Sequence, residues 1–170
     1  MHRLLELLQG GDRRSIGRAN EAAAEVLEDP GLFGVLVQGI SSSDPLIRMR
    51  AADAAEKVTA TRPDLLAPHK ATLLRQASRA TQQEVRWHLA LMLPRLELST
   101  RERKAAAAIL KGWLDDQSRI VQVCAMQGLA ELSAADATLR PEVESILKRL
   151  ARTGSPAVRS RCAKLLRRPA

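Results

Sequence analysis

The chain is predicted to be all-α and built from stacked helix pairs, and three observations carry that expectation. First, one phrase recurs. Its fullest copy is Asp44-Pro45-Leu46-Ile47-Arg48-Met49-Arg50-Ala51-Ala52, with echoes at 12–19, 82–90, 118–125 and 155–163. Counted between Asp12, Asp44, Gln82, Ser118 and Ser155, the steps are 32, 38, 36 and 37 residues, the period of a solenoid of two-helix units. Second, Phe33, Trp87 and Trp113 are the only aromatic residues, with no tyrosine. A core of Leu, Ala, Val and Ile suits close-packed helices better than sheets. Third, apolar residues return at helical spacing through most of the 170 residues, a length that can bury roughly 70% of the surface of the unfolded chain.

Residues 1–8 read as a short capping helix stopped by Gly10-Gly11. The first pair would follow over about 12–28 and 31–40, within a first unit near 12–40. The second, near 44–78, opens on Asp44 as N-cap and Pro45 at the first helical position, where its missing N–H costs nothing. Ile47, Ala51, Ala54, Ala55 and Val58 then mark one face. After a turn through Thr61-Arg62-Pro63-Asp64, the partner helix begins near Pro68 and turns Leu73, Leu74 and Ala77 inward.

The third unit, near 82–114, shows Val85, Leu89, Leu93 and Leu96, and Pro94 must kink or end that helix. Ser99 with Glu102 is a capping box, leading to Ile109, Leu110, Trp113 and Leu114. The fourth, near 118–151, has Val121, Ala125, Leu129 and Leu132, then Val143, Ile146, Leu147 and Leu150 after Pro141. Residues 155–168 form one helix without a partner. Either that helix caps the stack or the array continues, since a solenoid must cover its last apolar face.

These motifs resemble the HEAT-repeat family of armadillo-like proteins, whose first helices carry an Asp-Pro opening followed by Val-Arg and a pair of alanines. The likeness is strongest over 44–55, good at 155–163 and 84–90, and partial elsewhere. Ile16 and Gln122 stand where the family has arginine. The resemblance implies one domain over 1–170, a right-handed α-solenoid of about four to five stacked helix pairs. It implies that the second helices line a concave face that binds proteins, or less often nucleic acid. Arg48, Arg86 and Arg159, at the motif arginine, are then expected to bond acidic or carbonyl groups near the turns. No catalytic residue comes with the motif.

The remaining chemistry points the same way. His2, His69 and His88 are scattered and no Cys or His pair has metal-ligand spacing, so no metal or cofactor is expected. Asp115-Asp116, at a predicted turn, reads as a helix cap and not an acid–base pair, and the chain is not expected to be an enzyme. Trp113 falls in a buried row. Cys124 and Cys162 read as buried reduced thiols of a cytoplasmic protein. The apolar run of residues 1–8 is too short for a signal peptide and contains Glu6, and no stretch approaches a membrane span.

Charge supplies the candidate binding residues. Superposing the second helices through Leu73, Ile109 and Ile146, with Leu74, Leu110 and Leu147 in the next row, places Gln38, Arg75, Lys111 and Lys148 in an outward row. Arg79, Lys104, Arg149 and Arg152 neighbour it. Arg18, Arg50 and Arg161 share another row with His88 and read as solvated helix surface. The net charge is +8, and residues 1–144 balance. The excess lies in 145–170, which adds Arg159, Arg161, Lys164, Arg167 and Arg168 to Lys148, Arg149 and Arg152 and holds no acid. A positive field at one end steers acidic partners. The expected function is a non-enzymatic protein–protein interaction scaffold with an acidic partner. The alternative is nucleic-acid binding through the basic concave face and C-terminal end.

Overall fold

The computed structural model describes residues 1–12 and 14–167. Among them are ten α-helices, several ended or joined by 3-10 turns, and no strand. The chain divides into two compact units, residues 1–97 and Leu98 onward.

The first unit holds α1 (Arg3–Glu6), α2 (Ala19–Glu28), α3 (Phe33–Gly39), α4 (Pro45–Thr61), α5 (Lys70–Arg79) and α6 (Gln83–Met92). Its centre is α4, which packs against α2, α3 and α6. The Asp44 carboxylate accepts from the Leu46 N–H at 2.7 Å, and Pro45 starts the helix with its φ already set. Ile47, Ala51, Ala54, Ala55 and Val58 are then at most 1% exposed. Alanines at these positions let neighbouring helices approach closely. Gly39 of α3 shows how closely, since a Cβ there would lie 2.8 Å from the Ala51 Cβ.

Pro94 ends a helix instead of kinking it: α6 stops at Met92 and a 3-10 turn covers Leu93–Arg95. Likewise α5 waits until Lys70, after the 3-10 turn Pro63–His69.

The first pair departs from expectation. Regular helix starts only at Ala19, not near residue 12. Gly10, Gly11 and Gly17 take φ of 69°, 80° and 53°, values that interrupt any right-handed helix. The carbonyls freed by this path converge on Arg50. Its guanidinium donates to the oxygens of Leu8 at 2.8 Å, Gly10 at 2.6 Å, Asp12 at 3.1 Å and Ser15 at 3.2 Å. Arg50 is 2% exposed, so the reading of it as solvated surface is corrected: its position on α4 faces the preceding chain segment. Gly17 is required there, because a Cβ would stand 2.7 Å from the Arg50 Cζ.

The second unit holds α7 (Thr100–Gly112), α8 (Arg119–Ala135), α9 (Arg140–Thr153) and α10 (Pro156–Leu166). Ser99 and Glu102 form both bonds of the capping box, and the Ser118 and Ser155 hydroxyls cap α8 and α10. The Asp116 carboxylate accepts from the Ser118 N–H at 2.8 Å, the turn role expected of it. α8 packs on α7, α9 and α10. Val121, Ala125, Leu129 and Leu132 of α8 are buried, as are Val158, Cys162 and Leu165 of α10. Trp113, 8% exposed, belongs to this core.

Arg50 makes a sharp test of the first unit. Arg50→Met keeps an unbranched apolar stem and strands the carbonyls that the guanidinium satisfies, so a loss of about 3 kcal/mol is expected. Urea unfolding of the two proteins measures it, and an unchanged midpoint would show that water replaces the guanidinium at no cost.

Candidate functional site

Burial defines the register of the second helices. Leu36, Leu73 and Leu110 are 0% exposed and Leu147 5%, and they recur every 37 residues. That spacing aligns Gln38 and Arg75 with Gly112 and Arg149. Lys111 and Lys148 fall one position earlier, beside Val37 and Leu74. The proposed row Gln38, Arg75, Lys111, Lys148 is therefore corrected by one residue in its second half. The physical reason is that Leu73-Leu74, Ile109-Leu110 and Ile146-Leu147 each offer two apolar neighbours, and only one of each pair is fully buried.

The two lysines are also engaged. Lys111 Nζ lies 2.7 Å from a Glu142 carboxylate oxygen, linking α7 to the first turn of α9. Lys148 pairs with Glu144 one turn before it on α9. Gln38 and Arg75 are exposed, and among the described residues Arg75 donates only to the Thr72 hydroxyl of its own helix, at 3.2 Å.

The motif arginines behave as turn fasteners. Arg48 donates to the Ser42 carbonyl at 2.8 Å and Arg86 to the Ala80 carbonyl at 2.9 Å, each six residues back. Gln122, in the same place, donates to the Asp116 carbonyl at 2.6 Å, again six residues back. An amide thus does the work of the guanidinium. Arg159 departs from the pattern, being exposed with no such bond.

The row of Arg50 faces backwards along the chain. Arg161, half-buried, donates to Gln127 of α8 at 3.3 Å, and His88 Nε2 stands 3.7 Å from a carboxylate oxygen of Asp53 on α4. Arg18 alone is as solvated as expected, paired to Glu21.

At the C-terminal end, Arg149, Arg152, Arg159, Lys164 and Arg167 are exposed, and among the described residues none of their side chains meets an acid or any other hydrogen-bond partner. Arg168 lies outside the described residues. Neither cysteine is in a disulfide. Cys162 is buried against Met126, with burial raising its thiol pKa, while Cys124 is half-buried.

A cleft in the first unit was not singled out from sequence. About 330 Å³ in volume, it lies between the end of α3, α5 and the start of α6, and its lining includes Arg48, Arg75, Arg79, Gln76 and Gln82 but no carboxylate. Arg79 was legible only as a neighbour of the row. Gln76 and Gln82 carried no signal, because glutamine on a helix is ordinary surface. Among the described residues no cluster of three or more His, Cys, Asp or Glu could hold a metal ion, and no helix is long and apolar enough to cross a membrane.

No protein-family model matches the chain, and no curated protein matches it. Among solved structures it is similar to the crystal structure of an engineered protein, a Northeast Structural Genomics Consortium target, at 21% identity and a TM-score of 0.67. The match covers 96% of this chain and 76% of that one. At that identity the likeness shows a shared helical fold alone.

His88 gives the stability of the first unit a pH dependence. Its Nδ1 is buried without a partner, and Asp53 is held by Lys57 Nζ at 2.6 Å. Burial keeps the imidazole below the ordinary histidine value, against the upward pull of Asp53, Glu56 and Glu84. The unfolded chain takes its proton near pH 6.5, whereas the folded protein resists it. Stability is therefore complete above about pH 6.5 and declines as pH falls below it. His69, also lowered by burial, adds to the same trend. His88→Gln is expected to flatten the decline, read from denaturant midpoints between about pH 7 and 5; an unaltered slope would assign the dependence to other groups.

Proposed function

We propose that the chain is a non-enzymatic, cytoplasmic protein-interaction module whose unneutralised cations receive an acidic surface of a partner protein. The observation that carries this reading is the set of exposed side chains Arg149, Arg152, Arg159, Lys164 and Arg167, which among the described residues have no acid to satisfy them. Cations left unpaired on helices are free to form charge-assisted bonds with a partner. The 37-residue register of buried leucines and the turn-fastening Arg48, Arg86 and Gln122 support placing them on a right-handed HEAT-like solenoid. In such a scaffold, shape comes from the stack and specificity from variable surface residues.

Nucleic-acid binding is the second reading, favoured by the absence of any acid in 145–170. A duplex tracks several unpaired cations in succession. In the second unit, Lys111 and Lys148 are already paired, which favours a local protein contact over a phosphate track.

Reversing Arg149, Arg152 and Arg159 together to glutamate should remove the captured partners from affinity purifications compared by mass spectrometry. Labelled duplex and single-stranded oligonucleotides, titrated at about 50 and about 200 mM salt, should show no binding that falls by orders of magnitude between the two. Partners retained by the triple variant would refute the patch as the contact. A steep salt dependence would hand the site to nucleic acid.

A further inference from the structure

The cleft of the first unit combines three positive charges with hydrogen-bonding groups that lack partners. Arg48 is fixed there by the Ser42 and Ser43 carbonyls and by Gln82 Oε1, at 2.8, 3.0 and 3.0 Å. All three are neutral oxygens, so its charge is held in place without being cancelled. Arg75 and Arg79 stand one turn apart on α5, where side chains share a face. Arg79 has no side-chain partner among the described residues. Like charges gathered this way repel, and an anion between them relieves that repulsion.

Two further features specify the ligand. Gln82 spends its side chain on Arg48 and on the Pro45 carbonyl, so the first-turn N–H groups of α6 have no side-chain cap, an arrangement that favours a negative group. Glu84 lies on that first turn but not in the cleft lining. Gln76, also in the lining, donates through Nε2 to the Val37 carbonyl at 2.7 Å and the Ser41 hydroxyl at 2.8 Å. Its Oε1 is buried with no donor. That oxygen is closed to solvent, so Gln76 forms a fixed, neutral wall that leaves the positive charge of the cleft uncancelled.

We propose that this cleft is a carboxylate-recognition site for an acidic peptide segment of a partner protein. An aspartate or glutamate side chain would lie among Arg48, Arg75 and Arg79 at the start of α6. The proposal rests on the acidic-partner reading above and assigns that reading a second contact, separate from the C-terminal cations.

The test is fluorescence anisotropy of fluorescein-labelled hexaglutamate on the full chain, with labelled hexaglutamine and a labelled oligothymidylate as comparators. Hexaglutamate is expected to bind and hexaglutamine is not. The exposed pair Arg75→Gln/Arg79→Gln, checked for helix content by circular dichroism, is expected to weaken binding by at least about tenfold, as loss of charge-assisted bonds does. Arg149→Gln/Arg152→Gln is expected to change it by less than about twofold, since those residues lie outside the cleft. The Gln76 side-chain amide signal should shift on titration in nitrogen-15 NMR spectra.

Unchanged affinity in the Arg75/Arg79 variant would overturn the cleft. If the Arg149/Arg152 variant alone loses binding, the acidic-partner reading stands and the cleft falls. Tighter binding of the oligonucleotide through Arg75 and Arg79 would replace the peptide with nucleic acid, and no hexaglutamate binding at all would sink the proposal outright.

Discussion

The burial of α4 on nearly every side is the constraint on which the first unit depends. Ten of its residues are buried, including Arg50, Asp53 and Thr59. A helix with α2, α3 and α6 around it has little solvent in which to place polar groups, so each must be satisfied inside. Asp53 is met by Lys57, and Thr59 by the Ala55 carbonyl at 2.9 Å and by Arg95, which also pairs with Glu56. Arg50 takes the largest solution, binding the carbonyls of Leu8, Gly10, Asp12 and Ser15. The irregular start of the chain and the core of the unit are therefore one construction: the glycines that stop the helix also present the carbonyls that make a buried guanidinium tolerable.

How far this was legible depends on how many apolar choices each helix offers. In the first helices the recurring motif fixes the register even where apolar residues are doubled, as at Leu46-Ile47 and Ile120-Val121, and Ile47, Val85 and Val121 are all buried where expected. The caps Asp44 and Ser99 were equally legible, because they act within one turn. The second helices carry doubled apolar residues, so local periodicity allows two registers about 100° apart. Packing selected Leu110 and Leu147 over Ile109 and Ile146 as the deepest residues, and the cation row turned with them. Arg50 escaped for a different reason: its partners are backbone carbonyls, which no residue type announces.

The register has a direct electrostatic consequence. Lys111 and Lys148 stand at the flank of their helices, within reach of Glu142 and Glu144, and an exposed pair of that kind contributes at most about 1 kcal/mol. Such pairing does little for stability, but it lowers the local field that an incoming anion would meet. Arginines without an acid keep theirs. The distinction that matters for binding is thus between cations that are neutralised within the fold and those that are not, and counting basic residues along a face does not reveal it.

Arg48 shows how a structural role and a binding role can coincide. The same six-residue reach back to a carbonyl is made by Arg86 and by the uncharged Gln122, so fastening the turn does not itself require a positive charge. At Arg48 the fold gains a charge that neutral oxygens hold in place without cancelling. At Arg48 that charge opens onto a cleft free of carboxylates, and because its geometry is already ordered, little side-chain entropy remains to be lost when an anion arrives. Arg75 and Arg79 lack that anchoring and must be ordered by the ligand. The division between one preset cation and two adaptable ones suits recognition of an acidic side chain on a flexible segment, where orientation comes from the fixed group and tolerance from the others.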